Sequence, residues 1–493
     1  MTLRVQWLSS KEPLAIDKIY PIACLLSAIA LFLMLRYNQC FPKDDGAFFL
    51  RYADNIASGH GYRCNPGETN GIGASAPLWP PLIALFMAAG LPAFFAVKCL
   101  SVITCGLAFI LLFSASMLYW GILSGPVLLA ALAGSGLIFG EAMGGLETPL
   151  TLLLMGAAFF TLARDIRNPY IITLLCALLF IHKLDMLPWA AALALTSGLA
   201  LRDRRTWYAL AMSGTLILVY FAAMKLGTDH FFPVSLTHKF TQSWSGGISR
   251  WWFIDTAYWH YGRWAVAIPA LLALPFFIRK RMAWFCCIGL AGQALAYSLF
   301  PPSEPFLWYA CASMMGVNML MAGIPAIAGR FTPYIVAILL CCGLYSTIAG
   351  ETIRTLDINN ADYTEADRAR AGVWVAAHTP PSFRLATGYG NPAFYSHRYV
   401  YDYSGLNMAG PSDLPTIIDR FSPEIIILCP WKTAIRPETY FQPPNDKKIM
   451  YFGHRITPNY KAVKYFDSTL QSGYDDFYAL ILVRSDVEGE LVP

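Results

Sequence analysis

The sequence predicts a polytopic α-helical membrane protein with a small C-terminal α/β domain. Of its 493 residues, 56% are hydrophobic and only 14% are charged, and the mean hydropathy is +0.47. A soluble domain would carry about a quarter charged residues. Apolar runs of roughly 18 residues or more recur along the chain, and a run of that length crosses a bilayer as a helix.

The apolar runs locate the predicted spans. The first run, about Ile19 to Leu35, is long enough to remain as a signal anchor, and no cleavable signal peptide is evident. Further helices are expected near 77–96, 99–119, 122–140, 146–163, 169–182, 186–200, 207–225, 264–278, 282–300, 307–326 and 331–350. We expect about 11 to 13 spans, because the glycine-rich run 134–145 is predicted to break partway or to fail to cross.

Four basic clusters set the predicted orientation. Two spans separate each cluster from the next, so all four lie on one side, which the positive-inside rule identifies as cytoplasmic. The clusters are Arg164/Arg167, Arg202/Arg204/Arg205, Arg279/Lys280/Arg281 and Arg330. The net charge of +5 lies in these short loops, so it indicates topology and not nucleic-acid binding. The loops 182–185, 227–263 and 301–307 and the tail are then expected on the outer face.

The tail from Glu351 onward differs in composition from the rest. Of its 143 residues 31 are charged, against 36 of the first 350. Short β-type runs at Glu424–Cys429 and Tyr478–Val483 alternate with an amphipathic helical run, Tyr363–His378. We therefore predict a transmembrane domain over 1–350 and a water-exposed, periplasmic α/β domain over 351–493.

The 12 cysteines give no pattern of a zinc site. Most lie inside apolar runs, where a thiol behaves as a small hydrophobe, and no pair of Cys-x-x-Cys motifs is present. Cys40 and Cys64 flank the first loop and either form a disulfide in an oxidising compartment or remain two separate thiols.

The first outer loop, residues 38–76, holds the predicted catalytic residues. A helix that starts at Asp44 would place Asp44, Phe48, Arg51 and Asn55 on one face. A carboxylate accepts a proton from a hydroxyl nucleophile, and an arginine holds a phosphate through two parallel hydrogen bonds. The face therefore suits transfer from a phosphorylated donor to an alcohol. The alternative is an interfacial amphipathic helix whose charges are only solvated.

The same loop resembles a known family. The run DDGAFFLRYADNIASGHGYRCNPGE (44–68), followed by PLW (77–79), is similar to the signature of the C-type, polyprenyl-phosphate-sugar-dependent glycosyltransferases, in the branch that includes bacterial arabinofuranosyltransferases. The resemblance implies that Asp44 and Asp45 are catalytic and that Arg51 binds the donor phosphate. It also places Tyr52 and His60 among the substrate-binding residues.

Two later runs follow in the family's order. GGLETPL (144–150) resembles a run that opens a helix at the outer surface, where Glu147 either binds substrate or caps the helix. HKLD (182–185) stands where relatives carry Arg-Pro-Glu or Arg-Pro-Asp, so Lys183 replaces the arginine and the proline is absent. Asp185, at the end of a span, is costly unless it faces a polar cavity.

The run GTDHFFPVSLTHKF (227–240) resembles the family's Tyr-Gly-Asp…Pro-Asn-Thr…Lys run. The resemblance implies substrate-binding roles for Asp229 and His238. Lys239 is expected at the donor phosphate, because an ammonium beside a phosphodiester stabilises the departing charge.

Two further matches lie nearer the C-terminus. PFLWYA (305–310) resembles a Trp-Tyr pair that opens a late span, and Trp308 and Tyr309 are expected to stack on a sugar or lipid. The alternative for this pair is an interfacial aromatic belt. The run 384–406 resembles the strand, glycine turn and Asp-x-x-Gly-Leu segment of the same relatives.

These features predict an inverting glycosyltransferase in the bacterial cytoplasmic (inner) membrane. It would move a sugar, by the nearest resemblance arabinofuranose, from a polyprenyl-phosphate carrier to a hydroxyl of a glycan, lipid or protein on the periplasmic side. No cofactor or metal is required, because cations neutralise the leaving group, although the Asp pair leaves room for a divalent cation. The alternative is a transporter or flippase, but the polar residues cluster at one face and no inverted repeat is found.

Overall fold

The computed structural model describes residues 16–68, 73–199, 202–235, 253, 263–299, 307–407, 413–429, 449–451, 454–456, 459–467 and 478–492. Within these ranges the chain is mostly helical and carries a small sheet near its C-terminus. The predicted fold class, a polytopic helical membrane protein with a C-terminal α/β region, is confirmed.

The helical part is built from fourteen described helices. They are α1 (Ile16–Leu35), α2 (Asp44–Ala57), α3 (Trp79–Ala88), α4 (Ala93–Trp120), α5 (Ser124–Ala133), α6 (Gly136–Met143), α7 (Thr148–Ala163), α8 (Pro169–His182), α9 (Leu187–Thr196), α10 (Arg204–Thr228), α11 (Trp264–Ala273), α12 (Arg281–Leu299), α13 (Cys311–Gly323) and α14 (Thr332–His378). Proline opens several of them, as in α7, α8 and α9, because its fixed φ suits the first turn and its missing N–H would be unpaired there anyway.

Some of these helices are long enough to span a bilayer. Within the described part of the chain, five segments have the required length and hydropathy: Asp17–Leu35, Ala93–Trp120, Arg204–Thr228, Arg281–Leu299 and Gly329–Ala349. Shorter apolar helices lie between them. The total of about 11 to 13 spans therefore stays a prediction.

The glycine-rich run breaks where the sequence predicts. Gly134 and Ser135 separate α5 from α6. A Cβ on Gly134 would lie 2.8 Å from the Ser346 side chain, and one on Gly136 would lie 2.0 Å from the Tyr37 hydroxyl. A side chain at either glycine would therefore collide with Ser346 of α14 or with Tyr37, which follows α1.

The last helix differs from the prediction. The sequence predicts a span over 331–350 and a separate helix over Tyr363–His378, whereas the structure has a single helix α14 of 47 residues. No proline falls between Pro333 and Thr379, so nothing in the chain forces a break. The Thr-Pro-Pro run that follows ends the helix, and α14 thus crosses the predicted boundary at 350/351 without interruption.

The tail forms a five-stranded sheet with the order β2-β1-β3-β7-β6. Its described strands are β1 (Arg384–Thr387), β2 (Tyr399–Asp402), β3 (Ile425–Leu428), β6 (Tyr460–Phe466) and β7 (Ala479–Arg484), and β4 (Ile449–Tyr451) and β5 (His454–Ile456) form a separate hairpin. Strands β2, β1 and β3 are parallel, whereas β7 and β6 are antiparallel to their neighbours. Helices α15 (Gly390–Tyr395) and α16 (Leu414–Phe421) connect the strands.

The turn before α15 touches the first turn of α2. A Cβ on Gly390 would lie 2.0 Å from the Asp44 carbonyl oxygen and 2.9 Å from the Phe48 nitrogen. We therefore expect Gly390→Ala to destabilise the protein by about 1–3 kcal/mol, because backbone atoms cannot move aside as a side chain can.

Thermal unfolding in detergent checks this expectation. The matched control is Gly489→Ala, since a Cβ there meets nothing within 4 Å. Equal unfolding temperatures for the two variants would contradict the close contact between the tail and α2.

Candidate functional site

The face of α2 that carries Asp44, Phe48, Arg51 and Asn55 is covered by protein. The predicted helix begins at Asp44 as expected, and Phe48, Arg51 and Asn55 are all buried. Helix α15 packs on this face. The face that the sequence predicts to be reactive is therefore also the contact surface between α2 and the tail, which we call the seam.

Arg51 connects the two sides of this seam through hydrogen bonds. Its guanidinium donates to the carbonyl oxygens of Cys64 (2.7 Å), Arg398 (2.7 Å) and Ala393, and to Asn65 Oδ1 (2.8 Å). The side chain is only 7% exposed. These contacts join α2, the following loop and the tail, and they do not favour the phosphate-binding role, which stays a prediction.

Tyr52 strengthens the same seam. Its hydroxyl donates to the Asn407 carbonyl and accepts from the Gly73 N–H, both at 2.8 Å. The turn that presents Asn407 is shaped by buried Asp402, which accepts hydrogen bonds from Ser404 and Asn407. A Cβ on Gly73 would lie 2.2 Å from the Leu406 carbonyl oxygen, so the loop and the tail fit closely here. Tyr52 thus has a structural position, and a substrate contact stays a prediction.

Asp44 lies at the edge of the seam. Its Oδ1 accepts the Gly390 N–H at 2.5 Å, and its Oδ2 lies 4.0 Å from the Arg368 guanidinium. Arg368 is held in turn by Glu365 at 2.9 Å and rests over the Tyr389 ring at 4.1 Å. The Asp44 side chain is 32% exposed, so a second molecule can still reach it.

This position perturbs the acid chemistry of Asp44. The pKa of the Asp44 carboxyl is raised to about 8, mainly by burial and also by the neighbouring Glu365 and Asp45 carboxylates, against the opposing effects of Arg368 and the Gly390 N–H. The Glu365 and Asp44 carboxylates in turn raise the pKa of the Arg368 guanidinium well above its usual range. A carboxyl that titrates near neutral pH is poised to act as a general base.

Asp45 faces a different neighbour. It lines a narrow crevice with Gly73, Ser235 and the Leu406–Asn407 turn. The crevice holds about 10 Å³, roughly the space for one water molecule. Ser235 is the last described residue of the run 227–240, and the structure brings it beside the start of α2.

A second group of predicted residues is assembled around Lys183. Its Nζ lies 2.7 Å from Glu147 Oε1 and 3.9 Å from Asp185 Oδ2, and the Lys183 and Glu147 side chains are 7% and 2% exposed. The Tyr297 hydroxyl donates to Asp185 Oδ2, and the ammonium sits 5.0 Å from the centre of the Tyr309 ring. Four predicted substrate-binding residues, Glu147, Lys183, Asp185 and Tyr309, thus form one buried charged cluster.

A further ion pair was not predicted from the sequence. Lys43 Nζ lies 2.6 Å from Glu141 Oε1, and the Glu141 side chain is only 5% exposed. Glu141 is the first charged residue after Lys98 in a long apolar stretch, and an isolated acid in such a stretch signals a functional role. Lys43 directly precedes Asp44, so this pair joins α6 to α2.

The pair and the Lys183 cluster lie near each other. Glu141 and Glu147 flank the Gly144–Gly145 turn, and a Cβ on Gly46 of α2 would lie 2.5 Å from the Gly144 carbonyl oxygen. The structure therefore gathers charged residues from the start of α2, from α6, from the start of α7 and from the end of α8.

The remaining predicted residues are not placed in this group. His60 is exposed in the turn after α2, and Asp229 is exposed at the end of α10, 3.8 Å from Lys225. His238 and Lys239 lie outside the described residues, as does the Trp308 side chain. Their substrate-binding and phosphate-binding roles stay predictions.

Within the described residues, no group of three or more His, Cys, Asp or Glu side chains is arranged to hold a metal ion. Cys40 and Cys64 are both free thiols, Cys40 exposed and Cys64 buried. The loop is therefore held by the Arg51 hydrogen bonds and not by a disulfide.

Comparison with known proteins gives a structural likeness. No protein-family model and no curated protein matches the sequence. The chain is similar to the crystal structure of ArnT from Cupriavidus metallidurans bound to undecaprenyl phosphate, with 12% identity, a TM-score of 0.56, and coverage of 93% of this chain and 97% of that one. The apo state of the same protein gives 11% identity, a TM-score of 0.53 and the same coverage. At this identity the likeness shows that the two proteins share a fold over nearly their full lengths.

Proposed function

We propose that this protein is a polyprenyl-phosphate-dependent glycosyltransferase that moves a sugar from the lipid carrier to an acceptor hydroxyl. The observation that carries the proposal is the position of Asp44. It is a carboxyl, about one-third exposed, with a raised pKa, beside a buried charged cluster, in a fold shared with a protein that binds undecaprenyl phosphate.

Asp44 acts as the general base. It takes the proton from the acceptor hydroxyl while the acceptor oxygen forms a bond to the anomeric carbon. The bond from that carbon to the phosphate oxygen breaks, and the polyprenyl phosphate leaves with the electron pair. A single displacement of this kind inverts the anomeric configuration.

We propose that Lys239 is the cation that binds the donor phosphate. Ser235, four residues earlier, lies with Asp45 in the crevice beside α2, and this supports a place for Lys239 near the reacting groups. Asp45 is then the second acid of the site, available to position the acceptor or a divalent cation. Arg51 acts indirectly, by holding α2 against the tail.

The proposal also covers the identity of the sugar and of the acceptor. The loop's resemblance favours arabinofuranose, with a cell-envelope glycan, lipid or protein as acceptor. The orientation of the basic clusters supports a site on the periplasmic face of the bacterial inner membrane. The lipid tail would lie between helices, which explains why the enzyme is embedded in the membrane.

Direct transfer tests the function. Purified protein is incubated with undecaprenyl-phosphate-linked pentose or hexose, and release of undecaprenyl phosphate is measured together with mass spectra of surface glycans from cells with and without the gene. We expect lipid release and a missing glycan mass in the deletion. Unchanged glycans together with no release from any donor would reject the proposal.

The pH dependence of transfer is the next prediction. The base must be deprotonated, and the raised Asp44 pKa means that transfer should increase with pH, with the midpoint of the increase near pH 8. Arg368→Gln removes the positive charge that lowers the Asp44 pKa, so the rising limb should move to higher pH and transfer at pH 7 should fall.

The controls separate charge from structure. Arg368→Lys retains the positive charge and should keep the limb near its original pH. Arg370→Gln removes an arginine from the same helix whose side chain is 57% exposed, and it should leave the profile unchanged. If Arg368→Gln lowers the rate equally at every pH, Arg368 does not act through Asp44.

A further inference from the structure

A cleft of about 370 Å³ opens at the other end of the helical part. Helix α8 starts beside it at Pro169 and ends at His182, next to the Lys183 cluster, so the two sites lie at opposite ends of this helix. The cleft is bounded by Arg167 before α8, by the end of α9, and by the first turns of α12. None of its lining residues belongs to the candidate active site.

Two arginines are fixed at the mouth of this cleft. Asp165 accepts from Arg167 at 2.9 and 3.2 Å and from Arg281 at 2.8 Å. The Arg167 and Arg281 side chains remain 62% and 46% exposed. Exposed pairs of this kind add little stability. Their effect is to hold two guanidinium groups together with a net positive charge.

The walls of the cleft change from polar to apolar along α12. Arg281, Trp284 and Ile288 follow one another at helical spacing on one face, and Trp284 is 48% exposed. On the facing wall, Leu195 of α9 is 72% exposed. The order of charge, aromatic ring and aliphatic chain matches a phospholipid from head group to tail.

We propose that this cleft binds an anionic phospholipid, with the phosphate on Arg167 and Arg281 and one acyl chain along Trp284 and Ile288. A free phosphate would gain nothing from the apolar walls. A zwitterionic lipid carries its own cation, which would oppose the net positive charge of the mouth. Basic pockets between membrane helices at the cytoplasmic surface are suited to anionic head groups, and the positive-inside rule predicts that surface here.

Native mass spectrometry of the full chain in detergent tests this site. Phosphatidylglycerol, phosphatidylcholine and soluble glycerol phosphate are titrated separately, and the first bound molecule is counted. We expect phosphatidylglycerol to bind more tightly than either of the others. The double variant Arg167→Gln/Arg281→Gln should weaken it roughly 30-fold, as expected for two lost arginine contacts.

A matched variant controls for net charge. Arg204→Gln/Arg205→Gln removes two exposed arginines from the start of α10, which do not line the cleft, and should change binding less than about twofold. Arg167→Lys/Arg281→Lys retains the charge, should keep most of the affinity, and guards against misfolding of the glutamine variant. Equal loss in both glutamine variants, phosphatidylcholine binding as tight as phosphatidylglycerol, or glycerol phosphate binding as tight as the lipid would overturn the proposal.

Discussion

Asp44→Asn is expected to lower sugar transfer by about 10²- to 10⁴-fold, the usual contribution of a positioned general base. The asparagine carbonyl oxygen can still accept the Gly390 N–H that Asp44 Oδ1 accepts, so the seam between α2 and the tail should survive. The amide cannot take a proton from the acceptor. Transfer is measured as release of undecaprenyl phosphate from the sugar-linked donor at saturating acceptor.

Asp54→Asn is the matched control, since it makes the same change on the same helix at a residue outside the Asp44 contacts. It should retain transfer within about twofold, the scale of ordinary surface substitutions. Binding of undecaprenyl phosphate and the thermal unfolding temperature are recorded for both variants. A fully active Asp44→Asn enzyme would show that the base lies elsewhere, with Asp45 as the next candidate.

Lys183→Met is expected to cost about 3–5 kcal/mol of stability, because it leaves Glu147 as a buried charge without its partner. Glu147 is only 2% exposed and lies 2.7 Å from the Lys183 ammonium. The double variant Lys183→Met/Glu147→Gln should recover much of the loss, since it removes both charges. Chemical or thermal unfolding in detergent micelles gives the comparison.

An exposed ion pair provides the contrast. Lys225 and Asp229 lie 3.8 Å apart with side chains 45% and 76% exposed, so Lys225→Met should cost no more than about 1 kcal/mol. If Lys183→Met is as mild as Lys225→Met, then water or a compensating group must reach Glu147. If the double variant is stable but inactive, the pair serves the reaction as well as the fold.

Much of the architecture is readable from local pattern. Apolar runs predict the helices, because a helix satisfies the backbone hydrogen bonds of a segment buried in lipid. The glycine at Gly134–Ser135 marks the break between α5 and α6. The two β-type runs of the tail become β3 and β7, because short runs rich in Ile, Leu and Val suit a buried strand. The start of α2 at Asp44 is likewise a local signal, and the adjacent acids favour a helix N-terminus.

The site is harder to read, because its contacts join residues far apart in sequence. Arg368 reaches Asp44 only through the fold of the tail, and the amphipathic pattern that predicts its helix says nothing about this partner. Arg51 shows the limit of local reasoning: its helical spacing from Asp44 is as predicted, but the sequence does not reveal that its guanidinium donates to the tail carbonyls of Ala393 and Arg398. Glu141 was detectable as an isolated acid in an apolar stretch.

The continuity of α14 sets the register of the proposed active site. One unbroken helix, Thr332–His378, carries most of the span Gly329–Ala349 and continues through Arg368, so the rotation of Arg368 about the helix axis is fixed by the number of residues between the span and Arg368. Each inserted residue would turn Arg368 by about 100° and raise it by about 1.5 Å. The length of this segment therefore determines where the Arg368 guanidinium lies. Because the bilayer fixes the position of the span, it also fixes the direction of the guanidinium.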